Sequence, residues 1–415
     1  MNVIKTISVF IVISSLWSCE RDTKWKGQGI IAKVNTQSVP IQLQYKGIFD
    51  LKNGIYISND FAGARLSGVA LSNDTVTVLI APENDPINPS PWYSFKVWSE
   101  TEKLISLKLT YSNNAFHRYY PKLSRDGLVW QNIDSANYAV SKKSLDDIDQ
   151  KPKNATITIN IGPDTLWVSA QELVSSTHVD LWESALDDSS FVTTKEIGKS
   201  FEGRSINALR ISETDDKNMI VIFSRQHPPE VTGYLAMQEF VNTICRNTEL
   251  AKKFRSQYTT YVIPLINPDG VDNGNWRHNQ GGVDLNRDWK DFNQTETSAI
   301  RDFLSHTIKA SGGKYLFAID FHSTWQDIFY TNSNEESNMP GLVPLWLDAI
   351  GKEFPDYEPN IRHNIDTIGL SSSTYMFYHY GAESLTYEVG DNTPKEFVKK
   401  KGEVAALKLM KLMLK

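Results

Sequence analysis

The stretch Met219-Ile-Val-Ile-Phe-Ser-Arg-Gln-His-Pro-Pro-Glu230 predicts a buried strand that ends at a polar corner. Its first five residues are all apolar, which is typical of a strand covered on both faces. Apolar residues recur at helical spacing after Glu230, and Pro229 suits a first helical turn because its missing N–H is not needed there. We therefore expect His227 and Glu230 to lie between a strand and a helix, where their side chains can converge.

A second apolar run, Tyr315 to Phe321, is followed directly by His322. Functional groups collect at the carboxyl ends of strands in open α/β sheets, so His322 can meet His227 and Glu230. Two histidines and a carboxylate bind zinc and leave a fourth position open, as catalytic zinc sites do. Taken alone, His322 also fits a buried structural histidine beside Asp320. The three residues together favour a site for one zinc ion.

A loop dense in Asn, Gly, Arg and Trp follows a third apolar run, Thr260 to Ile266, and begins with the turn signal NPDG. Such a loop is costly to order unless it lines a site. Its residues Arg277 and Arg287 are permanent cations that can stabilise an oxyanion or clamp a substrate carboxylate. Either arginine, considered alone, also fits a solvated surface loop.

Glu388 lies near the carboxyl end of a fourth strand candidate, Glu383 to Gly390. Zinc lowers the pKa of a bound water to about 7, and a neighbouring carboxylate can then act as general base. A salt-bridged residue at a sheet edge is the alternative for Glu388. Four strand ends with candidate catalytic groups favour an active site at this edge of the sheet.

The order of these motifs resembles the M14 family of zinc carboxypeptidases. The resemblance covers the C-terminal part of the chain and consists of HPPE, NPDGV followed by WR, DLNRDW, DFHS and TYEVG. It implies that His227, Glu230 and His322 bind the zinc ion, the His2Glu ligand set that carboxypeptidase A also has. It also implies that Glu388 is the general base.

The same resemblance implies roles for four residues of the loop. Arg277 falls on the arginine that polarises the scissile carbonyl. Asn286 and Arg287 fall on the pair that holds the terminal carboxylate of the substrate. Asp284 falls on the carboxylate that orients the first histidine ligand, which fixes its tautomer and raises its basicity.

The spacing from Glu230 to His322 is closer to the cytosolic-carboxypeptidase branch, which also carries a β-rich domain ahead of the catalytic one. The stretch HPPEVTG, followed by WRHN and GGVDLNRDW, resembles a bacterial group related to that branch. The Gly–Arg pair that deglutamylating members carry before the general-base strand is not evident here. The side-chain specificity therefore stays open, and Tyr375, Tyr378 and Tyr380 are all candidates for the family's mobile pocket tyrosine.

Composition predicts two domains and excludes one class of partner. With 415 residues, 40% of them hydrophobic, the chain can bury a large core. Residues 29–155 contain short alternating segments such as Ile41–Tyr45, Thr75–Leu79 and Leu104–Thr110, which predict an antiparallel β-sandwich. Residues 156–415 alternate strand and helix patterns, which predict an α/β domain with a mixed, mostly parallel sheet flanked by helices. The net charge of −6 argues against nucleic acid.

The N-terminus predicts export. Residues 1–18 have a basic start and an apolar run too short to span a membrane, as signal peptides do. Leu16-Trp-Ser-Cys19 resembles a bacterial lipobox, in which Cys19 is lipidated and anchors the mature protein to a membrane. Residues 19–28 would then form a tether. The alternative is an ordinary secretory signal with an incidental Cys19.

Three functions are open at this point. The first is a zinc metallocarboxypeptidase, acting on peptides with a free C-terminal carboxylate, exported and lipid-anchored at the bacterial membrane. The second uses the same zinc site as an amidase or deacylase, or as a hydrolase of peptidoglycan stem peptides. The third, of another class, is a non-catalytic lipoprotein that binds glycan or peptide. Retention of all three ligands, of Glu388 and of both arginines argues against the third.

Overall fold

The computed structural model describes residues 33–112, 115–141, 151–364 and 369–415. The predicted signal peptide at 1–18, the predicted lipidation site Cys19 and the predicted tether at 19–28 lie outside the described residues. Within those ranges, no helix has both the length and the hydropathy needed to cross a membrane.

The first part of the chain is a β-sandwich of two sheets. One sheet has the order β1-β2-β5-β11-β7-β8 and the other the order β3-β4-β6-β10-β9. All their strand pairs are antiparallel except β4 with β6, which run parallel. The strands are β1 Ile48–Asp50, β2 Ile55–Ser58, β3 Gly68–Ser72, β4 Thr75–Ile80, β5 Ser94–Ser99, β6 Lys103–Tyr111, β7 Lys122–Ser124, β8 Gln131–Asn132, β9 Tyr138–Val140, β10 Asn154–Ile161 and β11 Leu166–Ser169, with a 3-10 turn at Ser135–Asn137.

Period-two alternation accounts for the sandwich core. In β10, Ala155, Ile157, Ile159 and Ile161 are buried and the residues between them are not, because successive side chains of a strand point to opposite faces. The two sheets enclose these side chains between them, and the alternate residues of the strand lie on the outer face, where polar side chains remain in contact with water.

Two details of the predicted organisation are wrong. The boundary expected at residue 155 cuts β10, which pairs with β6, and β11 also pairs with strands of the sandwich. The sandwich therefore extends to Ser169. The segment Ile41–Tyr45 is not a strand, because its polar groups are bonded to loops instead: Gln42 N donates to the Glu83 carbonyl, and the Gln44 side chain donates to the carbonyls of Ala64 and Asn273.

The second part is an α/β domain built on one mixed sheet, as predicted. Its strand order is β12-β13-β15-β14-β16-β19-β17-β18, and the central strands β15, β14, β16 and β19 run parallel. Its elements are α1 Ser176–Asp187, β12 Val192–Lys199, β13 Ser205–Ile211, β14 Asn218–Ser224, α2 Val231–Cys245, α3 Glu249–Arg255, β15 Thr259–Ile263, α4 Pro268–Asp272, a 3-10 turn Leu285–Arg287, α5 Thr295–Ser311, β16 Lys314–Thr324, β17 Ile328–Asn332, α6 Leu342–Gly351, β18 Ile361–His363, α7 Ser372–Tyr380, β19 Glu383–Gly390 and α8 Lys395–Met413.

Helices cover the central strands, whose residues are therefore largely buried on both faces. Every residue of β14 from Met219 to Phe223 is fully buried. Helix α8 packs closely on α2, and Gly402 permits this, because a Cβ atom there would lie 2.3 Å from the Ala236 carbonyl oxygen. The parallel strands β14, β16 and β19 end at the same edge of the sheet, and that edge carries the candidate site.

Candidate active site

The three predicted metal ligands meet at the carboxyl edge of the sheet. His227 and Glu230 occupy the corner between β14 and α2, and His322 lies near the end of β16. All three side chains are buried, and one ligand atom from each lies within 4.8 Å of the others. Gly233 lets α2 approach β16 at this point, since a Cβ atom there would lie 2.3 Å from the His322 carbonyl oxygen.

The donor atoms of these side chains face one another. Nδ1 of His322 lies 3.2 Å from Nδ1 of His227 and 2.7 Å from Oε2 of Glu230. Nδ1 of His227 lies 2.9 Å from Oε1 of the same glutamate. Two imidazole nitrogens and a carboxylate directed at one point form a concentration of lone pairs that a cation stabilises.

A carboxylate holds the other nitrogen of each histidine. Nε2 of His227 lies 2.9 Å from Oδ1 of Asp284, and Nε2 of His322 lies 2.8 Å from Oδ2 of Asp320. An ionised carboxylate can only accept hydrogen bonds, so each Nε2 carries a proton, and in the neutral ring each Nδ1 offers its lone pair toward the central point. This pairing is typical of histidines that bind zinc.

The charge of the pocket also fits a cation. Burial alone would raise the pKa of Glu230, but the adjacent His227 and His322 lower it below its usual value. Burial alone would lower the pKa of His322, but Asp320 and Glu230 raise it well above its usual value. A pocket that draws a proton into a buried imidazole has surplus negative charge. The residues therefore fit a divalent zinc ion, and a fourth ligand position would remain for water or substrate.

Glu388 lies beside the ligands on the neighbouring strand. In the pairing of β16 with β19, Glu388 is the partner of His322. Its Oε2 atom is buried and accepts no hydrogen bond from the part of the chain that the structure describes. Burial, with the nearby carboxylate of Glu230, raises the pKa of Glu388 to about 7. A carboxylate with this pKa can both accept and return a proton near neutral pH.

The predicted arginines and Asn286 lie on the loop that passes the ligands. The Arg277 side chain is mostly buried, and its Nε donates to Oδ2 of Asp284 at 2.7 Å. Asn286 and Arg287 belong to the 3-10 turn, and Nδ2 of Asn286 lies 3.4 Å from Nε2 of His322. Oδ1 of Asn286 accepts from the Ser372 backbone N–H, so this amide also links the turn to α7.

Arg287 and the three tyrosines differ in exposure. Arg287 is partly exposed, and its Nη1 donates to the Asn286 carbonyl. On α7, Tyr375 is 9% exposed and packs on Trp289, whereas Tyr378 is 54% exposed. The Tyr380 hydroxyl lies 3.1 Å from Ser305 Oγ. Tyr378 is therefore the least confined of the three tyrosine side chains.

Two residues without a predicted role support the ligands. Asp320 orients His322, and the spacing Asp-x-His on a strand is a sequence signal for this, because residues i and i+2 share a face. Arg225 has a φ of 55° at the end of β14, and its buried guanidinium donates to the carbonyls of Pro228 and Val174. It holds the corner that carries His227, and nothing in the local sequence distinguishes it from a solvated arginine.

The fold is similar to that of solved metallocarboxypeptidases. A metallo-carboxypeptidase from Burkholderia cenocepacia aligns with a TM-score of 0.68 and 20% identity, over 86% of this chain and 99% of that chain. Another from Pseudomonas aeruginosa, in complex with (2-guanidinoethylmercapto)succinic acid, aligns with a TM-score of 0.67 and 18% identity, over 86% of this chain and 98% of that chain. At these identities the similarity concerns the fold.

Sequence relatives include bacterial and animal proteins. An uncharacterized protein of Zymomonas mobilis is 21% identical over 352 residues, which are 81% of this chain and 87% of that protein. Cytosolic carboxypeptidase 6 of Caenorhabditis elegans is 28% identical over 185 residues, 40% of each protein. Human cytosolic carboxypeptidase 2 is 33% identical over 161 residues, 36% of this chain and 18% of that protein. The chain thus spans less than half the length of these two carboxypeptidases.

Family membership follows from a longer match. Residues 179–406, more than half of the chain, match the sequence model of the zinc carboxypeptidase family, Peptidase_M14. The predicted family and fold class are thereby confirmed, and the matched range contains the His–Glu–His group. The chain belongs to the zinc carboxypeptidase family of metallopeptidases and is an enzyme of that class.

Proposed function

We propose that the protein is an exported zinc metallocarboxypeptidase that removes C-terminal residues from peptides. The observation that carries this proposal is the convergence of His227, Glu230 and His322 on one point, with the free carboxylate oxygen of Glu388 on the adjacent strand. A ligand set with an open position beside a general base is the arrangement that hydrolysis of an amide needs.

Glu388 acts on the attacking water. A zinc ion held by His227, Glu230 and His322 would polarise the scissile carbonyl and lower the pKa of water. Glu388 accepts the water proton through its buried Oε2 and delivers it to the leaving amine. Arg277, held by Asp284, supports the negative charge that develops on the carbonyl oxygen.

Arg287 and Asn286 restrict cleavage to a chain end. The guanidinium of Arg287 is a fixed fork that binds a carboxylate through two parallel hydrogen bonds. Its partial exposure beside a buried ligand group makes it accessible to the free carboxylate of a bound peptide. The preceding Asn286 lies against His322, so the carboxylate anchor and the zinc site are fixed relative to each other.

Zinc binding and hydrolysis test the proposal together. The purified parent should contain one zinc ion and shorten peptides with free C-termini, as followed by mass spectrometry. His322→Ala should lose both the zinc ion and the peptidase activity, because the two remaining ligands do not form a complete site. The exposed His306, on α5, provides the matched control, since His306→Ala removes an imidazole outside the site. Full zinc content in His322→Ala would refute the ligand assignment.

The proposed location rests on the N-terminal sequence. A lipobox at Leu16–Cys19 after an apolar run supports export and a lipid anchor at the membrane. The enzyme would then meet peptides outside the cytoplasm.

A further inference from the structure

Glu83, a residue of the β-sandwich, binds the backbone of the Arg277 loop. It lies after β4, and its side chain is fully buried. Its Oε2 accepts from the Trp276 N–H at 2.7 Å, and its Oε1 accepts from the N–H groups of Arg277 and His278 at 2.9 and 2.7 Å. One buried carboxylate thus bonds three consecutive backbone donors.

This contact determines where the loop runs. A buried carboxylate needs strong hydrogen bonds, and bonds to an ionised acceptor are roughly twice as strong as neutral ones. Successive backbone N–H groups that point to one side form an anion-binding concavity, here filled by a side chain of the protein itself. Glu83 therefore stabilises this conformation of the loop.

Further contacts from the sandwich hold the same loop. Oδ1 of Asn84 lies 2.6 Å from Nδ1 of His278, and its Nδ2 donates to the Gly282 carbonyl at 2.9 Å. The Trp276 indole donates to the Trp92 carbonyl. The loop is thus bound on one side by the sandwich, while its Arg277 side chain reaches the opposite side.

Arg277 is the middle residue of the three that Glu83 binds. Its backbone is bound to the sandwich, and its guanidinium is bound to Asp284, which also holds the ligand His227. A continuous chain of hydrogen bonds therefore connects the sandwich to the metal site. We propose that Glu83 is a positioning residue for Arg277, which makes the β-sandwich domain a structural part of the active site rather than a separate binding module.

This inference rests on the proposed role of Arg277 in hydrolysis. The test is Glu83→Gln, which keeps the volume but turns an NH2 group toward one of the backbone donors. Misplacing a catalytic group by about 1 Å can cost on the order of 100-fold, so we expect kcat to fall about 10- to 100-fold with KM and zinc content little changed. Asn84→Ala, which removes two contacts of a neutral side chain to the same loop, should show a smaller loss of kcat. This variant replaces Glu83→Gln in the test if Glu83→Gln does not fold.

A double-mutant cycle separates positioning from general support of the fold. If Glu83 acts through Arg277, Glu83→Gln should lower kcat no further in the Arg277→Ala background. The control is Glu172→Gln, because Glu172 lies on the connection between β11 and α1 and bonds Lys395 of α8, away from the loop. That variant should keep the parent kcat. An unchanged kcat in Glu83→Gln, or an equal loss in both backgrounds, overturns the proposal.

Hydrogen exchange gives a readout that does not depend on peptidase activity. The amides of residues 276–278 should exchange faster in Glu83→Gln than in the parent or in Glu172→Gln. Unchanged exchange at these amides overturns the proposal even if activity falls. The parent could also cleave no peptide while these amides exchange faster in Glu83→Gln. The proposed function would then be wrong, but the stabilisation of the loop by Glu83 would be confirmed.

Discussion

Oδ1 of Asp284 lies 2.9 Å from Nε2 of His227. This Nε2 is the ring nitrogen that does not face the proposed cation. The other oxygen of this carboxylate accepts from Nε of Arg277. One side chain therefore orients both the proposed metal ligand His227 and the proposed catalytic residue Arg277. Burial would raise the pKa of Asp284, but Arg277 and His227 hold it well below its usual value, so it stays ionised.

Replacing Asp284 should consequently affect both metal binding and turnover. In Asp284→Asn, we expect zinc affinity to fall about 10- to 100-fold, as for other carboxylates that orient metal-bound histidines. Its kcat should also be low when zinc is saturating, because Arg277 has lost its anchor. Asp320→Asn is the comparison, since Asp320 holds His322 but not Arg277. Competition with a chelator measures affinity; equal kcat values for both variants at saturating zinc would contradict this division of roles.

Glu388→Gln should separate catalysis from metal binding. Glutamine keeps the volume but cannot accept the water proton, so kcat should fall about 10²–10⁴-fold with zinc content unchanged. In the parent, kcat/KM should fall as the pH drops through the pKa of Glu388, because only the ionised carboxylate is a base. That pKa is about 7 in the metal-free site, and a bound dication lowers it, so the acid limb should lie at or below about pH 7. Glu388→Gln with near-parent kcat would exclude Glu388 as the base.

Arg287→Ala tests whether the substrate is held by its carboxylate. Loss of a charge-assisted clamp should chiefly lower kcat/KM for peptides with free C-termini. Peptides with amidated C-termini should be poor substrates of the parent and should be affected far less by the substitution. Paired kinetic measurements on free and amidated peptides decide this. If the parent cleaves both equally well, the same zinc site serves an endopeptidase or a deacylase.

Glu183 on α1 should make stability depend on pH. It is buried and accepts from Asn207, and burial raises its pKa to about 7 from 4.5. Because the folded-state pKa is the higher one, stability is lost as the pH rises from about 4.5 to 7 and stays lower above. Glu183→Gln removes the charge and should gain on the order of 2–3 kcal/mol over the parent at pH 8 but little at pH 4.5. Thermal unfolding at both pH values measures this, and the exposed Glu102→Gln should show no such difference.

Cys19 should carry the lipid if the lipobox prediction holds. Labelled fatty acid should enter the protein in bacterial cells and should be absent from Cys19→Ser. Cys245→Ser is the matched control, since Cys245 is the other cysteine of the chain. Label retained in Cys19→Ser would leave an ordinary secretory signal as the explanation of the N-terminal sequence.

Much of the fold is predictable because burial leaves a local pattern. The apolar runs before His227 and before His322 predict strands, and the structure has β14 and β16 there. The alternation in Thr75–Leu79 predicts β4 equally well. The same alternation fails at Ile41–Tyr45, because a period of two describes side chains and does not reveal that the backbone lacks a neighbouring strand.

The sequence by itself determined the fold class, the family and the identity of the candidate ligands, because each depends on local residue patterns and on the order of short motifs along the chain. Only the tertiary structure decided that Asp284, which the family resemblance had placed beside His227, also binds Arg277, and that Glu83 of the sandwich binds the backbone of Arg277. Glu83 and Arg277 are far apart in the chain, and no local pattern marks such a pair. Their contact exists because two separately patterned domains pack together, and packing is a property of the whole chain.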